Sequence, residues 1–386
     1  MSLKRFAPIL FMAAIAVVAS AGSLFAGSPR EELFRLTPPE VTFCLCVQDL
    51  RQHAQEWKES PFWEAFPSTR MGKLVLESAE YKRLEDLKEQ LAKVLGEPVS
   101  RIRDEMFGDA IVIAYQAGPP GNPEEERGLL LSWVRDPKLA EQCFHRLNQA
   151  QKQSGELKEL QRIEYRGVTC FHRVKTQGQD EYYCLRGNTL VFTSREPMLH
   201  RVLDLDVERP AVDREKPFLT KELDRMGLAK SAATFWLNAR SFDAELNQKL
   251  EQAKGNDASF LSAFQQIWRA IDGIAFGLNV DRHLECKLVV SAQQDKLPEK
   301  MRGFSAGAPS ALWQSFPPDA LVAIAGHTDF AAILESLSQF VSPEHRKSIH
   351  DSVEQNLGGV VGKDLLPLLP KHLGPDWGIC ITAPAS

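Results

Sequence analysis

Cys170 and Cys184 are the residues whose spacing most suggests chemistry, namely thiol oxidation. They lie on either side of the polar loop 176–180, and the apolar residues around them predict a β-hairpin that this loop closes. Thiols at opposite positions of such a hairpin can form a disulfide in an oxidising compartment. Because the seven cysteines are odd in number and widely spaced, buried free thiols are the default interpretation. A disulfide between Cys170 and Cys184 is the alternative.

The same hairpin offers a limited argument for a metal site, because His172 shares a strand face with Cys170. The spacing of these two residues matches no zinc pattern, and the nine histidines are scattered along the chain. His345 and His350 are five residues apart and therefore do not share one helix face. We predict no metal ligand and no cofactor.

Two glycine-rich segments resemble catalytic motifs. Residues 303–307 match G-x-S-x-G, but a nucleophile elbow needs a strand before its serine and a helix after it, and prolines and polar residues surround Ser305. Residues 358–364 are one residue short of a phosphate-binding loop, and Asp364 stands where a serine or threonine would hold magnesium. We predict no catalytic or cofactor-binding residue. A hydrolase whose site is assembled from residues distant in sequence stays open as an alternative.

The first 26 residues have the composition of an export signal. Two basic residues precede an uncharged apolar stretch, residues 6–26, within which residues 19–21 give a small-x-small cleavage pattern. The alternative is an uncleaved membrane anchor facing the periplasm, because the stretch is just long enough to span a bilayer. We predict a signal peptide over residues 1–26 and export of the remaining chain to the periplasm or the extracellular medium.

Two segments far apart in the chain share one pattern. Residues 37–50 and residues 316–330 both contain two prolines and an acidic residue, then an apolar strand, then an aspartate that opens a helical stretch. We interpret these segments as an internal repeat. Asp49 and Asp329 are accordingly predicted to be helix N-caps, whose side chains accept backbone N–H bonds.

The repeated strand alternates small and large side chains. Cys44 and Cys46 align with Ala323 and Ala325, and the residues between them are large and apolar in both segments. Because successive side chains of a strand point to opposite faces, one face is predicted to be small and the other large. Alanine can neither bind a metal nor form a disulfide, so the Cys-x-Cys pattern is interpreted as packing.

Helical segments follow the strands and have one apolar stripe each. Leu84, Leu87, Leu91 and Leu95 recur every three to four residues, which predicts an amphipathic helix. A helix lying on a lipid surface is the alternative. The polar positions between the leucines are of mixed charge rather than lysine-rich, so packing against the protein core is favoured.

These elements together predict an α+β protein with two related units. Each unit has an antiparallel or mixed sheet with amphipathic helices on one face. The first unit spans residues 36–294 and a linker spans 295–315. Residues 316–386 form an incomplete second unit that repeats residues 37–116.

The repeat resembles an uncharacterised family of exported bacterial proteins, the large planctomycete-type hypothetical proteins. The resemblance is carried by residues 36–64, 107–164 and 311–384, which include the Pro-Pro-acidic strand and the segment Leu-Gly-Pro-Asp-Trp. It implies export and an α+β repeat. Members of the family usually extend well beyond this length, and this chain departs from them by stopping inside the second unit. It implies no activity, cofactor or catalytic residue.

Composition and charge narrow the class of function. Asp and Glu (51) outnumber Lys and Arg (46), the net charge is −5, and no basic stripe occurs, which disfavours a nucleic-acid partner. We expect an exported, non-catalytic envelope or extracytoplasmic protein with a binding or structural role. Its partner would be a protein or a cell-envelope component, and it would meet the membrane only through an uncleaved N-terminal segment. A truncated fragment without function is a further alternative.

Overall fold

The computed structural model of the chain describes residues 28–212, 216–280, 284–297, 310–317, 320–327 and 376–382. Helices and strands are mixed along these ranges, which confirms the predicted α+β class. The helices are α1 (Pro29–Arg35), α2 (Leu50–Lys58), α3 (Pro61–Ala65), α4 (Arg70–Glu77), α5 (Ala79–Leu95), α6 (Val99–Met106), α7 (Pro137–Gln153), α8 (Glu196–Val212), α9 (Phe218–Arg225), α10 (Asp243–Gln252) and α11 (Asn256–Ala270). The strands are β1 (Phe43–Gln48), β2 (Ala110–Gln116), β3 (Arg127–Trp133), β4 (Leu157–Tyr165), β5 (Val168–Lys175), β6 (Glu181–Arg186), β7 (Thr189–Thr193), β8 (Ala233–Asn238), β9 (Ile271–Val280), β10 (Leu284–Ala292), β11 (Ala320–His327) and β12 (Asp376–Thr382).

Ten of the strands form one sheet in the order β10-β9-β8-β1-β2-β3-β7-β6-β5-β4, and β11 pairs with β12 separately. The neighbours from β8 through β1, β2, β3, β7, β6 and β5 to β4 are antiparallel. The chain divides into two compact units. One contains residues 1–241 and 274–289, and the other contains residues 242–273 and 290–386.

The two strand pairs of the predicted repeat have the same kind of register. Cys44 of β1 is opposite Ala114 of β2, and Ala323 of β11 is opposite Cys380 of β12. Each pair therefore places a cysteine opposite an alanine, with the two residue types exchanged between the strands. The adjacent pairs, Leu45 with Ile113 and Ile324 with Ile379, are large on both strands.

The small-residue face of the sheet carries the main core. Cys44 and Cys46 of this face are buried, whereas the intervening Leu45 of the opposite face is half-buried. Small side chains let the helices approach the sheet closely. Helices α1, α8 and α9 pack here through buried apolar residues, among them Leu33, Phe34, Leu199, Leu203, Leu219 and Leu223.

A second layer of helices packs on the opposite face. Buried residues of α5, α6 and α7 form an apolar cluster with Leu190 of β7, and Leu50 of α2 packs with Val47 and Ile111 of the sheet. Helices therefore lie on both faces of this part of the sheet. The sequence pattern predicted helices on one face.

Asp49 occupies the N-cap position of α2, but the predicted capping bond is absent. Its φ is 54°, in the left-handed region, and its side chain makes no capping hydrogen bond. A capping side chain usually requires an extended N-cap backbone, so the left-handed conformation explains the correction. Burial, followed by the nearby Asp109, raises the pKa of Asp49.

Several predicted features lie outside the described residues. These are the signal peptide at residues 1–26, Asp329, and the two glycine-rich segments at 303–307 and 358–364. Within the ranges that the structure does describe, no helix has both the length and the apolar character needed to cross a membrane.

Candidate ligand-binding pocket

The large-residue face of the sheet forms the floor of a pocket. Alternate residues of β1, β2 and β7 line it, together with Leu130 of β3, because side chains two positions apart lie on one face of a strand. The floor consists of Leu45, Val47, Ile111, Ile113, Leu130, Leu190 and Phe192.

Helices α5, α6 and α7 form the opposite wall, which is also apolar. The wall consists of Leu91, Leu95, Val99, Ile102, Met106, Cys143, Phe144 and Leu147. The volume of the cavity is about 820 Å³. Ligand-binding pockets typically have this size and are lined mainly by hydrophobic side chains with a few polar groups. We refer to this cavity as the apolar pocket.

Most of the polar residues that line the apolar pocket lie at one end of the strands. The strand register makes Leu129, Thr193 and Tyr182 lateral neighbours at that end, where Gly128 precedes Leu129 and Glu181 precedes Tyr182. The hairpin loop 177–180 belongs to the same end. At the other end, Ile111 and Leu190 are neighbours through Ser132, and Phe107 adds an apolar side chain. The pocket therefore runs along the strands from a polar end to an apolar end.

Arg173 is the most buried charged residue at the polar end. Its residue surface is 2% exposed, and its guanidinium donates hydrogen bonds to the carboxylate of Glu181 and to the side-chain oxygen of Gln151. Lys175 Nζ lies 3.5 Å from the same oxygen of Gln151 and 3.8 Å from Glu181. Within the described part of the chain, Arg173 Nε has no hydrogen-bond acceptor.

Acidic residues of the 123–126 segment line the polar end of the apolar pocket from the β2–β3 side. Glu124 and Glu126 belong to the lining, and Glu126 accepts a hydrogen bond of 2.8 Å from the Tyr115 hydroxyl. Burial, followed by this hydrogen bond and the Glu126 charge, raises the pKa of Tyr115 to about 12. Tyr115 is therefore a neutral donor at ordinary pH.

Cys170 and Cys184 are directly opposite each other on β5 and β6, and both are fully buried. A hydrogen bond with Cys170, and then burial, raise the pKa of the Cys184 thiol. The structure contains them as free thiols, so their oxidation to a disulfide stays a prediction. Neither cysteine lines the apolar pocket.

The other buried cysteines are poor nucleophiles. Burial is the main cause that raises the pKa of Cys46 to about 12, and it also raises the pKa of Cys143, which lines the apolar pocket. A thiol must lose its proton to attack a substrate, and these environments oppose that loss.

His172 is engaged by both ring nitrogens. Nδ1 lies 3.2 Å from the side-chain oxygen of Gln161, and Nε2 lies 2.8 Å from the carboxylate of Asp180. A general base needs a nitrogen that can reach a substrate proton, and neither nitrogen is free for that role here. Among the residues that the structure describes, no three His, Cys, Asp or Glu side chains are grouped to hold a metal ion.

A second, more open cleft of about 570 Å³ lies beside α8 and is charged. Its charges pair with one another or with neighbours: Glu40 with Arg201 at 3.0 Å, and Asp204 with Arg166 at 3.0 Å and the Tyr165 hydroxyl at 3.1 Å. Asp204 is therefore ion-paired and not freely solvated.

The residues of the apolar pocket were not selected as functional by the sequence analysis. Their signal was the alternation in β1, which predicted a large-residue face without indicating what would cover it. Six strands and four helices contribute to the lining, and no local motif joins them. Periodicity within a segment does not predict which distant segments pack against each other.

Comparisons with known proteins found no related family. No protein-family model, no curated protein and no solved structure matches the chain.

Proposed function

We propose that this chain is an exported, non-catalytic binding protein whose ligand is a small apolar molecule held in the apolar pocket. The observation that carries the proposal is the pocket itself: about 820 Å³ with apolar walls and polar groups at one end. Export is inferred from the basic and apolar pattern of residues 1–26.

The engagement of nearby reactive groups supports binding rather than catalysis. Both nitrogens of His172 have partners, and burial raises the pKa of Cys143 at the pocket wall. The remaining lining is mostly aliphatic, and aliphatic side chains contribute affinity by removing ligand surface from water. The envelope partner expected from sequence is here replaced by a small molecule.

The uncharged apolar dye Nile red tests the proposal on the full chain. We expect one dye molecule to bind per chain, with increased and blue-shifted emission. Ile113→Trp places an indole in the pocket and should weaken binding by roughly tenfold or more, which corresponds to about 1.4 kcal/mol.

Ile379→Trp is the matched control. Ile379 pairs with Ile324 as Ile113 pairs with Leu45, but Ile379 is 61% exposed and lies outside the apolar pocket. This variant should bind Nile red as the unmodified chain does. Met71 and Leu74 of α4 are also exposed. Equal binding by all three proteins would therefore place the dye on the surface and overturn the proposal.

A further inference from the structure

The unpartnered nitrogen of Arg173 bears on the chemistry of the ligand. Arg173 is buried, lines the polar end of the apolar pocket, and uses its two terminal nitrogens on Glu181 and Gln151. Within the described residues its Nε has no acceptor. A buried N–H without an acceptor is unfavourable, so a ligand that brings an acceptor to this position gains affinity.

The charge of the polar end opposes an anionic ligand. Glu181 already neutralises Arg173, and Lys175 is the second cation of that end. Arg103 also lines the apolar pocket but is paired with Asp104 at 2.6 Å. Four carboxylates belong to the same lining, namely Glu124, Glu126, Asp180 and Glu181. A carboxylate or phosphate group would therefore enter a region with more negative than positive charge.

A cationic ligand is disfavoured for a different reason. An amine in its protonated form has only donors, so it cannot accept from Arg173 Nε and would lie beside the guanidinium charge. Asp180 and Glu181 are already engaged with His172 and Arg173. An alkane would fill the apolar part of the pocket but would leave Nε unpartnered.

We propose that the ligand is an uncharged, elongated apolar molecule with a hydrogen-bond-accepting polar end, such as an ester or ketone carbonyl, that binds Arg173 Nε. This proposal rests on the proposed function and names the ligand class of the same pocket. The apolar body would lie along the strands towards Ile111 and Leu190, and the carbonyl would lie at the polar end.

Four probes with a ten-carbon chain separate these chemistries on the full chain: methyl decanoate, decanoate, decylamine and decane. Each is titrated against bound Nile red. We expect methyl decanoate to displace the dye at a concentration roughly tenfold lower than each of the others, because one hydrogen bond from a charged donor contributes about that factor or more. Equal or stronger displacement by decanoate, decylamine or decane would overturn the proposal.

Two variants test the roles of Arg173 and Glu181. Glu181→Gln removes the neutralising carboxylate, so preference should move by roughly tenfold from methyl decanoate towards decanoate. The double variant Arg173→Met with Glu181→Met removes donor and carboxylate together. It should abolish the preference for methyl decanoate over decane while changing decane binding by less than about twofold. If the single variant fails to fold, the double variant still tests whether Arg173 and Glu181 determine the preference for methyl decanoate.

Arg162→Met is the control for loss of an arginine. Arg162 is an exposed residue of β4 and is not part of the pocket lining, so this variant should keep the preference for methyl decanoate. The two proposals fail in different ways. Nile red binding that is blocked by Ile113→Trp, but without any ester preference, would overturn the ligand class alone. If Ile113→Trp does not reduce Nile red binding, the proposed binding function is overturned as well.

Discussion

His53 is a buried titratable residue with an identifiable effect on stability. Its side chain is 0% exposed, neither ring nitrogen has a hydrogen-bond partner among the described residues, and Glu56 is 3.6 Å from Nδ1. Burial lowers the pKa of His53 from its ordinary value of 6.5 to about 3. The folded protein therefore keeps this imidazole neutral at a pH where the unfolded chain protonates it.

The free energy of unfolding should consequently fall as the pH falls from 6.5 towards 3. Proton binding by the unfolded chain favours unfolding, and between pH 7 and pH 5 the loss attributable to His53 is about 2 kcal/mol. His53→Leu should remove this part of the pH dependence. Urea unfolding of both proteins at pH 7 and pH 5 measures it. Equal pH dependence in the two proteins would show that His53 does not contribute.

Single residues differ in how far the sequence could predict them. The pairing of Cys170 with Cys184 followed from a polar loop between apolar strands, and the register places them opposite each other. The capping role of Asp49 was wrong because a residue type does not report a positive φ. The unpartnered Nε of Arg173 was not predictable, because it depends on burial by β6 and α7.

Strands with regular apolar patterns were predicted closely, and those without one were missed. The hairpin predicted on either side of loop 176–180 is formed by β5 and β6, which pair with each other. Strand β4 was not predicted, since most of its side chains are exposed and charged residues interrupt any alternation. As an edge strand it needs a backbone partner on one side only, and charges there discourage pairing with other chains.

Strand β8 resembles β1 in sequence, although it was not predicted to be a related strand. Thr234, Phe235 and Leu237 match Thr42, Phe43 and Leu45 in type, with Trp236 in place of the small Cys44. The two strands are neighbours, and Cys44 is opposite Trp236 in their antiparallel register. The large Trp236 therefore packs beside the small Cys44. This difference in size makes the similarity between the two strands difficult to recognise from sequence.

Helix α5 is buried progressively towards its C-terminal end. Leu84 and Leu87 are each 37% exposed, Leu91 is half-buried, and Leu95 is 7% exposed. The leucine stripe correctly predicted an amphipathic helix, but full burial of the stripe was wrong for its first half. Periodicity reports which face is apolar and not how far a neighbouring layer extends over it.

This gradient predicts unequal costs for one substitution along α5. Leu95→Ala should lower the free energy of unfolding by about 2–4 kcal/mol, because it opens a cavity against α6 and α7. Leu84→Ala should change it by less than about 1 kcal/mol. Urea unfolding of both variants supplies the comparison. Equal losses would mean that the whole stripe is packed in solution.

On the scale of the whole molecule, the sequence predicts the α+β class better than it predicts the pocket. Class follows from the local alternation of helical and strand patterns. The apolar pocket needs β1, β2, β3 and β7 to be neighbours and α5 to α7 to cover one face of them. That arrangement is a property of topology, which periodicity within a segment does not specify.

The compartment of the whole chain determines the state of its cysteine pair. If residues 1–26 act as a cleaved export signal, a host that exports the full chain should release a protein beginning near residue 27. In that oxidising compartment, loss of two hydrogens from Cys170 and Cys184 would lower its intact mass by about 2 Da. Ile15→Arg is the control for export and should retain the full-length chain in the cytoplasm. Cys170→Ser is the control for the disulfide and should remove the mass difference. A full-length chain recovered with the membrane would instead support an uncleaved anchor. Exported protein with all seven thiols titratable after unfolding would contradict the disulfide.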